Sequence, residues 1–422
     1  MTSPAAASRT RLVAPDLARG FALLGIAWAN ISSAWAIPPG NMAGAMLGGV
    51  GDNTLLDAPS VVASATFAHV RGLPMFTTLL GFGIGLLWLS LTRREYPEKN
   101  RRRLLYRRYG FLALFGLIHL VFIFFGDIML TYGLLGLLVI ALTRFDDKTL
   151  LILSGVLFAI PTLGTASTLL FTSPELLSTD PMKFLPDFAD YPGYLLASLL
   201  VLLTVILGAP MYILTLMPLM LVGFVAARRG VHRHPEKYIR VLTGWVIVAA
   251  VVMLTIGLPW GLAEVGVLPN EWAPYFMDAN QTLGMLTGPG IAAGILLACR
   301  RLQRSLDAGS PLPLPVAMLV ALGKRSMTGY LLQSVIFFVV CLPFTLNLAS
   351  DVGAFGQFLV ALGTWLATLV FCWLLEKAGK PSPFEKVHRL LSYGRNGLPD
   401  RFPHADAHAA STGESGDASA KS

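Results

Sequence analysis

Charged residues are scarce in this sequence of 422 residues. Asp, Glu, Lys and Arg make up 13% of the chain, whereas a soluble domain usually carries about 25%. Hydrophobic residues make up 55%, and they fall in blocks of about twenty, the length of helix that spans roughly 30 Å of hydrocarbon. No polar stretch is long enough to form a separate folded domain. The composition therefore excludes an ordinary soluble enzyme and predicts an integral membrane protein.

Cysteine and the common catalytic motifs are also scarce. The three cysteines, Cys299, Cys341 and Cys372, lie in or beside apolar segments, without the spacing of a metal site or of a disulfide framework. The chain lacks the patterns of nucleotide-binding P-loops, zinc proteases and serine hydrolases. Its net charge of +8 comes from short basic clusters between the apolar blocks. We therefore expect no metal and no nucleic-acid partner.

The apolar blocks predict an all-α bundle of about ten transmembrane helices. They cover approximately residues 17–37, 72–92, 109–125, 128–143, 149–171, 193–227, 241–263, 281–299, 326–345 and 352–376. Pro210 and Pro218 predict a kink in the sixth of these helices. We interpret residues 1–402 as a single membrane domain, in which 1–227 contain six helices and 228–402 contain four helices and a basic tail. Residues 403–422, rich in Ala, Ser, Asp and His, are predicted to be disordered.

The charges between the helices predict the topology. The link after the second helix, residues 93–108, is the most basic part of the chain, and the links at 144–148 and 228–240 are basic as well. The first loop on the other side, residues 38–70, contains no lysine or arginine. Because basic loops stay in the cytoplasm, both termini are predicted to be cytoplasmic. The excess of arginine over lysine is typical of a high-GC bacterium, so we expect a multi-pass protein of the plasma (inner) membrane.

Several polar side chains fall inside these predicted helices, where each costs roughly 2.5–3.5 kcal/mol on insertion. Asp16, Arg19 and Asn30 share one face of the first helix. They form either an internal lock of the bundle or part of a site. His119 lies about 16 Å from the cytoplasmic end of the third helix, and Asp127 follows at its outer end. A histidine oriented by a carboxylate can take up and return a proton near neutral pH. The alternative roles are a histidine satisfied by a backbone carbonyl and an aspartate that caps the next helix.

Three further groups complete the candidate site. His69, at the outer side, is a second candidate for catalysis, although a lone interfacial histidine is more often incidental. Lys324 and Arg325, at the start of the ninth helix, are either topological anchors or ligands for the phosphates of a cytoplasmic cofactor. Tyr330 and Gln333 lie on one face of that helix and could contact a substrate.

Five segments in order resemble YeiB-like membrane proteins, the family of domain of unknown function 418. Residues 16–31 read D-L-A-R-G-F-A-L-L-G-I followed by N-I, and residues 75–83 read M-F-T-T-L-L-G-F-G. Residues 116–132 contain G-L-I-H and G-D-I-M-L-T-Y, residues 323–334 read G-K-R-S-M-T-G-Y-L-L-Q-S, and residues 383–394 contain P-F-E, R and Y-G. This family is similar in pattern to a superfamily of transmembrane acyltransferases that use cytoplasmic acetyl-CoA.

The resemblance implies transfer of an acyl group from acyl-CoA to a hydroxyl or amine of an envelope glycan, lipid or small metabolite. Lys324, Arg325 and Arg19 would hold the CoA phosphates. His119 would act as general base or transient acyl carrier, with Asp127 orienting it and Asn30 binding the carbonyl. The alternatives are a transporter or flippase for a small metabolite or lipid and a non-catalytic partner in an envelope-building complex. Membrane lipid is an expected partner in every case, and a homodimer stays open.

Overall fold

The computed structural model describes residues 12–36, 46–177, 189–349 and 352–402. These residues form helices and no strand, so the predicted all-α class is confirmed. The predicted disordered tail, 403–422, lies outside the described residues. In chain order the helices are α1 (Val13–Asn30), α2 (Thr54–Ala63), α3 (Gly72–Arg93), α4 (Glu98–Phe122), α5 (Met129–Ala141), α6 (Asp147–Phe171), α7 (Pro174–Leu177), α8 (Tyr191–Leu207), α9 (Ala209–Thr215), α10 (Met217–Arg228), α11 (Ile239–Val252), α12 (Leu258–Glu264), α13 (Ala273–Leu283), α14 (Thr287–Asp307), α15 (Leu314–Lys324), α16 (Ser326–Cys341), α17 (Ala354–Lys377) and α18 (Pro383–Tyr393).

Six helical segments within the described residues are long and apolar enough to cross a membrane. They are Thr54–Arg93, Glu98–Phe122, Asp147–Phe171, Pro235–Glu264, Asn270–Asp307 and Ala354–Lys377. The bent pair α8 and α9 makes a seventh if it is counted as one span. Shorter apolar helices include α5, α10, α15 and α16. The chain is therefore a helical membrane protein with six or seven candidate transmembrane helices.

The first helix lies inside the bundle rather than at its edge. The indole N–H of Trp365 in α17 donates to the carbonyl of Gly20 at 3.1 Å. Gly323 of α15 packs so closely on the backbone of Asp16 that a side-chain carbon at this glycine would overlap it. Because α1 is surrounded by α3, α15 and α17, its polar residues face protein and not lipid.

The predicted sixth helix, residues 193–227, is three helices in the structure. The axis bends by 61° between α8 and α9, and a further break separates α9 from α10. Pro210 and Pro218 each stand in the first turn of the following helix, where a missing N–H breaks no intrahelical hydrogen bond. The prediction of one kinked helix was wrong in this respect, because the prolines begin new helices.

Two glycines of α3, Gly81 and Gly85, bring this helix against α10. A side-chain carbon at Gly81 would overlap the backbone of Met220 in α10, and one at Gly85 would lie 2.8 Å from the carbonyl oxygen of Phe224. Such backbone contact is the usual way in which membrane helices associate, since lipid offers no hydrophobic driving force between helices. The contact fixes α3, which carries one wall of the site described below.

The last helix, α18, follows the membrane bundle and packs across the ends of α4 and α16. Glu385 accepts a hydrogen bond from the backbone N–H of Thr328 at 3.0 Å and another from its hydroxyl. The Nε2 atom of His388 lies 2.9 Å from the carbonyl oxygen of Arg108. The guanidinium of Arg108 in turn donates to the Tyr393 hydroxyl at 2.7 Å. These contacts attach α18 to the bundle at both of its ends.

Candidate functional site

His119 and Asp127 form a buried pair at the turn between α4 and α5. The Nδ1 atom of His119 lies 2.7 Å from one oxygen of Asp127, and both side chains are at most 2% exposed. The second Asp127 oxygen accepts the backbone N–H of Leu130 at 2.9 Å, so the predicted capping role is confirmed. An ionised carboxylate can only accept hydrogen bonds. With Asp127 ionised, the proton of the neutral ring is on Nδ1 and the lone pair is on Nε2.

The Nε2 atom of His119 is buried and has no hydrogen-bond partner among the described residues. A buried polar atom without a partner costs free energy, which is why such atoms are rare outside functional sites. The alternative in which a backbone carbonyl satisfies this histidine is not what the structure shows. His119 thus has the arrangement of a general base: one ring nitrogen held by a carboxylate and the other available.

Aromatic side chains hold this turn in place. The Tyr194 hydroxyl donates to the carbonyl of Ile123 at 2.8 Å, and the Tyr191 hydroxyl donates to that of Phe122 at 3.0 Å. These two carbonyls belong to the end of α4, where no further helical turn can accept them. Phe124 lies against the His119 ring, with 6.1 Å between ring centroids. The turn between α4 and α5 is short, and tyrosines of α8 donate the hydrogen bonds that these carbonyls lack within the turn.

Tyr330 of α16 connects the pair to an inner chamber of about 520 Å³. Its hydroxyl lies 3.5 Å from Asp127, and its ring lies 5.4 Å from that of His119. The polar residues that line the inner chamber come from α1, α4, α5, α15, α16 and α18. They are Arg19, Arg108, Tyr109, Lys324, Ser326, Tyr330, Glu385, His388 and Tyr393, together with Tyr132 of α5. The histidine pair thus stands directly behind one wall of a polar chamber within the bundle.

The inner chamber continues into a larger, basic vestibule of about 870 Å³. The two share Arg108, Lys324, Glu385, His388 and Tyr393 in their linings. The vestibule is also lined by Arg94, Arg325, Lys386, Arg389 and Arg395. Seven arginines and lysines therefore face it against two acids, Glu376 and Glu385. Such an excess of positive charge suits a ligand with several negative charges.

The three predicted phosphate-binding residues all reach these cavities, but each already has a partner. Lys324 lies 2.8 Å from Glu376, and Arg325 pairs with the other oxygen of the same carboxylate. Arg19 lies 3.3 Å from Asp16 and donates to the carbonyl of Leu79 at 3.3 Å. The pairing of Asp16 with Arg19 favours the internal lock that the sequence left open. A phosphate would therefore compete with Glu376 for the two cations of α15 and α16.

The remaining predicted residues lie elsewhere. His69 packs edge-on against Trp260, with ring centroids 5.3 Å apart, and does not line the inner chamber. Asn30 ends α1 and is half-buried outside that lining. Gln333 donates to the Thr368 hydroxyl at 3.4 Å and so connects α16 to α17. Their predicted roles in catalysis and substrate binding receive no support from these positions.

Four lining residues, Arg108, Glu385, His388 and Tyr393, are missed by the site prediction. Burial and the neighbouring charge of Arg108 lower the pKa of His388 from 6.5 to about 4, so this ring is neutral at physiological pH. The segment 383–394 is part of the family pattern, and that was the available signal. Its short length and basic flanks led to its interpretation as a tail.

Comparison with known proteins agrees with the motifs. Residues 226–395 match the family described as "Protein of unknown function (DUF418)". The chain is 23% identical to "Uncharacterized protein YxaH" of Bacillus subtilis (strain 168) over 401 residues, which cover 90% of this chain and 93% of that protein. It is 26% identical to "Uncharacterized protein YeiB" of Escherichia coli (strain K12) over 410 residues, or 90% and 96% of the two chains. No solved structure matches. These matches confirm the resemblance to YeiB-like DUF418 proteins that the five sequence segments predict.

Proposed function

We propose that this protein is a membrane acyltransferase, which moves an acyl group from a cytoplasmic acyl-CoA to a hydroxyl or amine of an envelope glycan, lipid or small metabolite. One observation carries the proposal. His119 has one ring nitrogen fixed by Asp127 and the other without a partner, behind a chamber that continues into a basic vestibule. A general base beside a polyanion-binding cavity is what acyl transfer from a phosphate-rich donor needs.

The donor would lie with its phosphates in the vestibule and its thioester in the inner chamber. Lys324 and Arg325 would exchange Glu376 for phosphate oxygens, and Arg108 and Arg19 would line the path inward. Phosphate carries more negative charge than a carboxylate and accepts bidentate hydrogen bonds from guanidinium groups, which favours the exchange. Acyl-CoA is a co-substrate in this scheme, and no step requires a metal.

The chemical step would use the free nitrogen of His119. This nitrogen takes the proton from the acceptor hydroxyl or amine as the acceptor attacks the thioester carbonyl. The new bond to the acyl carbon forms, the carbon–sulfur bond breaks, and the leaving thiolate receives the proton from the imidazolium. Asp127 stabilises the charged ring, and the Tyr330 hydroxyl is available to donate to the developing oxyanion. Because Tyr330 lines the chamber and its ring lies 5.4 Å from that of His119, a rotation of this side chain would open the wall toward the histidine.

The topology proposed for this reaction has ten crossings, with both termini in the cytoplasm of a bacterium and the bundle in its plasma membrane. Contacts among the basic segments support the part of this proposal that puts them on one side. Arg94, at the end of α3, donates to the carbonyl of Pro399 at 2.8 Å, and Arg107 donates to that of Leu391 at 2.6 Å. The N–H of Val13 donates to Gln303, near the end of α14, at 3.0 Å. Cytoplasmic acyl-CoA would thus meet the vestibule directly.

The test measures binding and transfer separately in detergent-purified protein. Radiolabelled acetyl-CoA should bind the wild type, and Lys324→Ala should weaken binding by about 10-fold or more, since a hydrogen bond to a charged group contributes roughly 1.5–3 kcal/mol. Lys99→Ala, at an exposed lysine outside the vestibule, is the matched control. His119→Gln should leave binding within about threefold of wild type and abolish release of free CoA, because it removes only the base.

Two results would overturn the proposal. One is a wild-type protein, folded by its own thermal transition, that binds no acyl-CoA of any chain length. The other is transfer or hydrolysis that continues unchanged in His119→Gln. Equal weakening by Lys324→Ala and Lys99→Ala would refute the vestibule as the phosphate site, because only Lys324 lines it.

A transporter or flippase is the second candidate, and the break between α8 and α9 favours it. Discontinuous helices with half-helix ends at mid-membrane are common in secondary transporters, and the 61° bend is of that kind. The broken helices do not line the inner chamber, which favours the enzyme. Uptake of a labelled metabolite or lipid into vesicles by a protein that fails to bind acyl-CoA would reverse this preference.

A further inference from the structure

A second pair of cavities lies on the other side of α1 and α3. The first of them, here called the lateral cavity, has a volume of about 340 Å³ and is lined mostly by apolar side chains, with Thr78, Arg229, His232 and Tyr238 as the polar members of its lining. Ala18 lines it, whereas the next residue, Arg19, lines the inner chamber. Its wall on the lipid side includes Val241 of α11, which is 59% exposed. The lateral cavity is thus an apolar recess that opens toward the membrane and is separated from the candidate active site by one helix.

The lateral cavity joins a second, polar space at the basic end of the bundle. This head cavity also measures about 340 Å³, and it is lined by Arg233, Arg300 and Arg304. The two cavities share Ala14, Pro15, His232 and Leu296. Two acids, Glu236 and Asp307, also line the head cavity. Asp307 accepts from Gln303 and Glu236 pairs with His234, and the three arginines outnumber these two carboxylates.

His232 stands at the junction of the two cavities. It is 7% exposed, and its Nδ1 atom is buried with no hydrogen-bond partner among the described residues. Its ring meets Phe82 of α3 edge-on, with centroids 5.2 Å apart. Burial and the charges of Arg233 and Arg93 lower its pKa to about 4, so the ring is neutral and can either donate or accept. A buried polar atom without a partner, placed between an apolar recess and an arginine cluster, indicates a ligand that has an apolar part and an anionic part.

We propose that these joined cavities bind one anionic phospholipid, with an acyl chain in the lateral cavity and the phosphate headgroup among Arg233, Arg300 and Arg304. An acyl chain fits a recess whose lining is mostly apolar, since each buried CH₂ is stabilising. Arginine forks bind phosphate oxygens bidentately. Basic pockets between membrane helices at the cytoplasmic side bind lipid headgroups in this way. The site is independent of the proposed acyl transfer.

Trp245 lines the lateral cavity and reports its occupancy. Detergent-purified protein is titrated with phosphatidylglycerol whose acyl chains are brominated, because bromine quenches tryptophan on contact. The quenching should saturate, and the saturable part should disappear in Trp245→Phe. Phosphatidylcholine with the same chains should bind at least about tenfold more weakly. Arg300→Gln should weaken phosphatidylglycerol binding by a similar factor, the equivalent of one charge-assisted hydrogen bond.

Matched variants separate the site from general lipid contact. Ala292→Leu fills the recess and should abolish the saturable quenching, whereas Ala298→Leu, on the exposed face of the same helix, should not. Arg301→Gln, exposed and outside the head cavity, should bind like the wild type.

Each variant must keep the thermal transition of the lipid-free wild type within a few degrees, and Arg304→Gln replaces Arg300→Gln if that variant does not. Equal binding of both lipids, or equal loss in Arg301→Gln, would overturn the proposal. A third result would also overturn it. If inorganic phosphate alone abolished the quenching and added phospholipid did not restore it, the cavities would hold an anion and not a lipid.

Discussion

The buried pair of His119 and Asp127 predicts a measurable coupling energy. A hydrogen bond to a charged group contributes about 1.5–3 kcal/mol, and the contact of 2.7 Å between two buried side chains is of this kind. Asp127→Ala also frees the N–H of Leu130, which adds about 0.5–2 kcal/mol for a lost cap. We therefore expect Asp127→Ala to destabilise the protein by about 2–5 kcal/mol. The double variant with His119→Ala should be less destabilised than the sum, by about 1.5–3 kcal/mol.

The assay is unfolding by sodium dodecyl sulfate in mixed micelles, followed by circular dichroism, for the wild type, both single variants and the double variant. Asp57 provides the matched control. It is a buried aspartate that accepts the N–H groups of Gly51 at 3.0 Å and Phe355 at 2.9 Å, and it shares no partner with His119. The variants Asp57→Ala and His119→Ala should be additive within about 0.5 kcal/mol. A coupling below about 0.5 kcal/mol for His119 and Asp127 would refute the pair as a fixed unit.

Three further predictions concern the rest of the frame. The unfolding free energy should fall as the pH is lowered from 6.5 toward 4 and level off below, because the folded state holds His388 neutral while the unfolded chain takes up the proton. His388 should account for about 3 kcal/mol of this fall. Acid titration of His388→Gln should therefore show a shallower slope of unfolding free energy against pH. Gly81→Ala should destabilise by about 1–3 kcal/mol because its methyl group would overlap Met220, whereas Gly110→Ala, which meets nothing within 4 Å, should be neutral or stabilising; thermal melts of both variants test this. Tyr194→Phe should cost about 1 kcal/mol in the same melts, since the carbonyl at the end of α4 loses its donor, and an unchanged transition would contradict the capping role.

The sequence predicts the parts of this site that depend on local spacing. With Gly126 and Asp127 directly between two apolar helices, the chain is predicted to turn back at once, but a helix to residue 125 places Asp127 about 12 Å beyond His119. In the structure α4 ends at Phe122, and the turn brings the carboxylate back to 2.7 Å from the histidine ring. Hydropathy likewise gives the helical class, because blocks of about twenty apolar residues have one solution in lipid.

What the sequence does not reveal depends on distant contacts. The pairing of Lys324 and Arg325 with Glu376 joins helices whose residues are 51 and 52 positions apart, and no local pattern records it. Hydropathy also does not report bends, so α8, α9 and α10 read as one long helix. The helix α18 falls in the segment that is interpreted as a basic tail, because this segment is short and has basic flanks rather than a long apolar run. The packing of His69 against Trp260 is another distant contact that no local pattern records.

The central position of α1 means that the first helix to be synthesised can complete its contacts only after the last long helix has been made. The partner that Trp365 offers to Gly20 lies 345 residues further along the chain, and at about 5–20 residues per second the ribosome needs roughly 17–70 s to reach it. During that interval the Asp16 and Arg19 face has only early partners, of which the Leu79 carbonyl of α3 is one. The ion pair within α1 and the hydrogen bond to α3 would then partner these polar groups and hold α1 against α3 until the later helices have been synthesised.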